Sequence, residues 1–110
     1  MSNKNNLTLC NIYVTYEIVQ TTDFKKWYFE QEIKIRAIID ARFSRIKNFR
    51  ELGDVKYLGN KLFELRWKMG IRVYFIIKDN KTIILLNGGS KNGQKRDIQK
   101  ARKLHRNCRI

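Results

Sequence analysis

Apolar and polar residues alternate along the chain in two rhythms, and the change from one to the other sets out the elements. Ile12, Val14, Tyr16 and Ile18 alternate with Tyr13, Thr15, Glu17 and Val19, the period of two expected of a strand with one face toward a core. Thr21, Thr22 and Asp23 then offer N-cap side chains, and Phe24, Trp27 and Tyr28 follow at helical spacing. A second helical stripe of Ile35, Ile38, Ile39, Phe43, Ile46 and Phe49 ends before Gly53, with Lys34, Arg36, Asp40, Arg45 and Lys47 pointing elsewhere. Between Gly53 and Gly59 the chain reads as a loop with a short extended piece at 55–58. Period two returns in KLFELRWK, where Phe63, Leu65 and Trp67 take the core side, and in IRVYFIIK, where Ile71, Val73, Phe75 and Ile77 do. Met69-Gly70 turns between them, Asp79-Asn80 turns next, and TIILLN supplies a further strand. Gly88-Gly89 reads as a flexible hinge before a last helix whose apolar side is Ile98, Ala101 and Leu104.

These elements predict an α+β domain in the order β-α-α-β-β-β-α: an antiparallel β-sheet packed against two N-terminal helices, with a basic C-terminal helix and the helices on one sheet face. Residues 1–11 are polar, lack periodicity and read as a flexible N-terminal arm; residues 12–110 form a single domain. The start shows no apolar stretch of secretory length, and no run reaches the ~18 apolar residues of a membrane helix. A cytoplasmic protein with no membrane partner is expected. Cys10 and Cys108 show no metal-ligand spacing and read as free thiols of a reducing compartment, with no cofactor or metal expected.

Charge sharpens this picture. The 110 residues carry 24 Lys and Arg against 10 Asp and Glu, a net +14, and the last twenty residues alone hold +7. Self-repulsion of that size points to a polyanionic partner, nucleic acid first. Alternation also fixes which side chains converge. With odd-numbered residues of the hairpin facing the core, Arg66, Lys68, Arg72 and Tyr74 emerge together on the other face with Glu64 beside them. One histidine, His105, excludes a His-based zinc site or a Ser-His-Asp triad, and scattered acids leave few ligands for a two-metal nuclease. The remaining chemistry is metal-independent RNA cleavage, in which the substrate's own 2′-OH attacks the neighbouring phosphate. Arginine forks at Arg66 and Arg72 suit the charge that develops there, and Tyr74 could stack an unpaired base.

The segments LGDVKYLG, LFELRWKMGIRVYFI and ILLNGGSKNGQKRDIQKA resemble the phage-derived addiction-module killers of the RelE/HigB toxin superfamily, over about residues 14–104. The resemblance implies a RelE-like fold and a type II toxin-antitoxin toxin, a ribosome-dependent endoribonuclease (mRNA interferase) that cleaves mRNA and inhibits translation. It implies as partners the 70S ribosome with its mRNA and a helix-turn-helix, HigA-like antitoxin, with operator DNA reached only through that antitoxin. By position it implies catalytic roles for Arg66, Arg72, Lys91 and Asp97, and RNA contacts from Lys68, Tyr74, Gln94, Lys95 and Arg96. The sequence departs from the pattern in lacking a tyrosine or histidine near Asp97 to move the proton. The alternative is a non-catalytic RNA- or DNA-binding module with the same basic face.

Overall fold

The computed structural model describes residues 15–108. The arm at 1–11, Cys10 and the first part of the expected opening strand therefore lie outside the described residues. The elements are β1 (Glu17–Gln20), α1 (Thr22–Phe29), α2 (Ile33–Phe49), β2 (Val55–Gly59), β3 (Leu62–Arg66), β4 (Ile71–Lys78), β5 (Thr82–Ser90), a 3-10 turn at Lys91–Gly93 and α3 (Gln94–Asn107). They form one α+β domain around a five-stranded sheet of order β1-β5-β4-β3-β2. The extended piece expected at 55–58 is the fifth strand, β2. β2 to β5 form the antiparallel meander, but β1 runs parallel to β5, with Gln20 opposite Leu85.

The sheet is covered on both faces, which corrects the expectation of helices on one. Phe24, Ile39 and Ile46 of α1 and α2 pack on Leu65, Trp67, Val73, Phe75, Ile83 and Leu85. Ala101, Ile98 and Leu104 of α3 pack on Leu62, Tyr74, Ile76, Ile84 and Leu86 across the sheet. The sequence marks the narrow apolar stripe of α3 but not the surface it meets: the even-numbered positions of the hairpin include Leu62 and Ile76, which need covering too. Ile38 and Phe49, expected in the core stripe of α2, are 41% and 69% exposed; the stripe is wider than the sheet surface it meets.

Arg42 occupies part of that interface instead. It is buried, it lies over the Trp67 ring at 4.6 Å, and it donates to the carbonyls of Leu52, Asp54 and Arg66. One guanidinium thus fastens α2 to the loop before β2 and to the end of β3. Burial holds its pKa below the usual arginine value, opposed by the charge of Asp54. Arg42→Met keeps the volume but strands three carbonyls, and should destabilise the fold by about 3 kcal/mol in a urea titration.

A bulge aligns the far end of β5. The register with β4 slips between Tyr74 and Phe75, so that Phe75 faces Leu85 and Tyr74 faces Asn87, with Leu86 as the extra residue. Thr21, the N-cap of α1, brings its hydroxyl to the Leu85 and Leu86 carbonyls at 2.8 and 2.9 Å while accepting from the Phe24 amide. The bulge reverses which side of the sheet successive residues of β5 face. Asn87 and Gly89 turn to α3, and Gly88 turns to α1.

Candidate nucleic-acid interface

Two neighbouring rungs of the sheet carry the polar groups. In one, Glu64, Tyr74 and Asn87 stand side by side across β3, β4 and β5; in the next, Arg66, Arg72 and Gly89 do. The parity argument therefore places Glu64, Arg66, Arg72 and Tyr74 on one face, as expected, but the first turn of α3 roofs that face. Gln94 donates to Glu64, and Asn87 donates to the backbone carbonyl of Asp97 at 3.1 Å.

The two glycines of β5 explain how closely the helices approach. A Cβ on Gly89 would lie 2.0 Å from the Asp97 carboxylate, and one on Gly88 would lie 2.4 Å from the Trp27 ring on the opposite side. Neither glycine has a positive φ. The pair is thus part of a regular strand and a site of close approach from both faces, rather than the hinge its sequence suggested.

An open cleft of about 580 Å³ lies at this end of the sheet. Its walls include Trp27 of α1, Gln31 just after that helix, the Met69–Ile71 turn, residues 88–90 of β5, and Arg96 and Asp97 of α3. The Lys91 amide donates to the Gly70 carbonyl at 2.9 Å and its side-chain carbons run close to Gly70, fixing the 3-10 turn against the β3–β4 turn.

The expected site residues divide by their surroundings. Arg66 keeps a side chain 36% exposed and sits 3.8 Å from the Glu64 carboxylate. Arg72 is only 8% exposed, and its Nη1 holds the Trp67 and Ile71 carbonyls at 2.9 Å each. Of the expected site residues only the half-buried Asp97 and the exposed Arg96 line the cleft; Arg66, Arg72, Tyr74, Lys91 and Gln94 lie outside its lining, as do the exposed Lys68 and Lys95. Tyr74 is fully buried with its hydroxyl on Glu64 at 3.0 Å, so this conformation leaves no ring face for a base. Burial first, and then the Glu64 charge, push its phenol well above the usual range, so Tyr74 acts here as a fixed donor. Neither Glu64 nor Trp27 is among the site residues expected from the sequence. The available signal was an acid two residues before Arg66 on one strand face. Among the described residues, no group of three His, Cys, Asp or Glu side chains could hold a metal ion.

Burial raises the Asp97 carboxyl above the ordinary carboxylate range, against the lowering effect of Arg96 and Lys100. Between its ordinary and raised values the folded chain binds more protons than the unfolded one. Asp97 therefore makes stability fall as pH rises through that window. Asp97→Asn is expected to be more stable than the parent at neutral pH and to show a flatter pH dependence, read by denaturant unfolding across mildly acidic to neutral pH. An unchanged slope would show that Asp97 does not titrate in this way.

Comparison with known proteins adds the following. Residues 24–106 match the family described as phage-derived protein Gp49-like. An uncharacterised protein of Haemophilus influenzae is 35% identical over 94 residues, covering 83% of this chain and 94% of its own length. Among solved structures, a mutant Escherichia coli toxin RelE in the free state matches with a TM-score of 0.66 at 13% identity, over 81% of this chain and 96% of that one. A RelBE toxin-antitoxin complex of Mycobacterium tuberculosis matches at 0.58 and 23% identity, over 70% and 99%. The intact E. coli RelBE complex matches at 0.59 and 13% identity, over 68% and 95%.

Proposed function

The chain belongs to the phage-derived Gp49-like family, within the RelE-type toxin superfamily, and from this premise we propose that it is the toxin of a type II toxin-antitoxin pair that cleaves ribosome-bound mRNA. The observation that supports this most is the placement of two arginines, Arg66 and Arg72, on the rung of Gly89, over which lies the carboxylate of the half-buried, cleft-lining Asp97. In the reaction the 2′-oxygen of one nucleotide bonds to the adjacent phosphorus while the bond to the 5′-oxygen breaks. The products are a 2′,3′-cyclic phosphate and a 5′-hydroxyl end.

Asp97, whose raised pKa suits proton transfer, takes the 2′-OH proton. Arg66 and Arg72 offer guanidinium donors to the phosphate oxygens as charge builds, and the Lys91 ammonium, beside Gly70, gives a proton to the departing 5′-oxygen so that it leaves as a hydroxyl. Lys68, Lys95 and Arg96 extend the positive surface along the RNA, and Gln94 belongs to the support of the site. The expected partners are the 70S ribosome and a HigA-like helix-turn-helix antitoxin that masks the basic surface; in the two RelBE structures above the toxin is seen with its antitoxin.

The test adds purified protein to programmed ribosomes and maps mRNA ends. Discrete new 5′-hydroxyl ends support the proposal. Intact mRNA overturns it. If intact mRNA is accompanied by retained affinity whose logarithm falls steeply with log salt, about 0.7 per phosphate on single strands, the protein is the non-catalytic binding module.

A further inference from the structure

Glu64 is the most enclosed acidic side chain described, with no exposed surface, on β3, an inner strand of the sheet. Its Oε2 accepts from the Tyr74 hydroxyl at 3.0 Å and from the Gln94 side-chain amide, and its Oε1 faces Arg66 Nε at 3.8 Å. A carboxylate isolated from water is strongly disfavoured unless its partners are held in place. The partners here come from three elements: β3, β4 and the first residue of α3.

The surrounding polar atoms are concentrated in the same place. The buried side-chain atoms that lack a hydrogen-bond partner among the described residues are Glu64 Oε1, Arg66 Nε, Arg72 Nε and Asn87 Oδ1. All four lie on the two adjacent rungs under the first turn of α3. Elsewhere α3 meets the sheet through apolar Ile98, Ala101 and Leu104, and through Arg102, which donates to the Leu58 carbonyl of the edge strand β2 at 2.7 Å. Apolar packing tolerates small sliding, whereas a charged hub bonded to named donors does not. At the end of α3 that carries Asp97, the spacing to the strand-borne arginines is set by two polar ties, Gln94 to Glu64 and Asn87 to the Asp97 carbonyl, and only the first also touches an arginine.

We propose that Glu64 is a positioning residue, which fixes the Arg66 guanidinium from one side and, through Gln94, seats the first turn of α3 from the other. This rests on the reading of Arg66 and Asp97 as the reacting groups. Glu64 has no exposed surface of its own and acts through them.

Glu64→Gln, Arg66→Ala and the double variant of the full chain are compared for single-turnover cleavage on programmed ribosomes and for the Arg66 Nε–Hε and Gln94 side-chain NMR signals. Glu64→Gln is expected to lower the cleavage rate at saturating ribosome at least tenfold, with little change in half-saturation. That loss should shrink in the Arg66→Ala background to the part that acts through Gln94 and Asp97. Equal loss in both backgrounds, a change in half-saturation alone, or an unaffected rate overturns the proposal. A wild-type protein that does not cleave overturns the functional reading instead, and the NMR signals then decide: both shift and broaden in Glu64→Gln if the carboxylate positions them, and unmoved signals overturn the role. Should Glu64→Gln fail to fold, Gln94→Ala, whose side chain is only half-buried, replaces it in the same cycle, and Glu64→Asp is expected to recover part of the rate.

Discussion

Arg72→Lys is expected to slow cleavage of ribosome-bound mRNA by about 10²–10³-fold, the range for removing one preorganised donor from a developing oxyanion. Charge is kept in this variant, so the effect isolates the fork. Arg72 is nearly buried, and its Nη1 already serves the Trp67 and Ile71 carbonyls, which holds the β3–β4 turn in shape. A lysine offers one compact ammonium that cannot hold two carbonyls and reach a phosphate together. A parallel loss of about 1–2 kcal/mol in stability is expected from the weakened turn, a fall in Tm of several degrees. A rate within threefold of the parent would remove Arg72 from the reaction and leave it only the turn. A melting change without a rate change would say the same.

The second large effect separates the adjacent glycines of β5. Gly88→Ala is expected to destabilise the fold by about 3 kcal/mol, the upper part of the usual range for overpacking. The new methyl would meet three atoms of the Trp27 ring at 2.4–2.6 Å, and that rigid ring is wedged between α1 and the sheet, beside Phe24. Gly89→Ala should melt much closer to the parent and yet lose at least tenfold in cleavage. Its methyl meets the end of a flexible side chain, the Asp97 carboxylate, which can swing aside only by leaving its place over Gly89, the residue paired with Arg72. Thermal melts and cleavage rates of the two variants should therefore rank in opposite orders. The same rank in both measurements would show that Asp97 is not held in place for chemistry.

Much of the fold was legible because it rests on local periodicity. Alternation in KLFELRWK and IRVYFIIK is enough to put Arg66 opposite Arg72 and Glu64 opposite Tyr74, and the register shows both pairs. What periodicity cannot carry is the identity of the element laid over each face. α3 carries Lys95, Arg96, Lys100, Lys103 and Arg106 on its exposed side; its three apolar positions are plain in the sequence, but nothing there says that Leu62, Tyr74 and Ile76 lie beneath them. Tyr74 was therefore assigned to a base that it cannot reach. Gly88-Gly89 misled for a related reason. Glycine signals either a freed backbone or a close neighbour, and only the positions of Trp27 and Asp97 decide between them. The bulge at Leu86 is equally silent in sequence, although it decides which glycine meets which helix. Arg42 was missed because a single cation within an amphipathic stripe carries no mark of the three carbonyls that wait for it.

The parallel pairing of β1 with β5 bears on how the chain reaches this structure. The meander from β2 to β5 is built from neighbours in sequence, so its contacts close short loops. β1 must find a partner across the whole domain, since the Thr21 hydroxyl meets Leu85 at a separation of 64 residues. Closing so long a loop is entropically expensive before its contacts reward it. The meander with α3 is expected to form the folding nucleus, with β1 docking on the downhill side of the barrier. Weakening substitutions at Ile18 or Thr21 should then act almost wholly on the unfolding rate, while those at Val73 or Leu65 slow folding itself. A toxin built in this way would hold its reactive rungs in the part of the chain that assembles first and is released last.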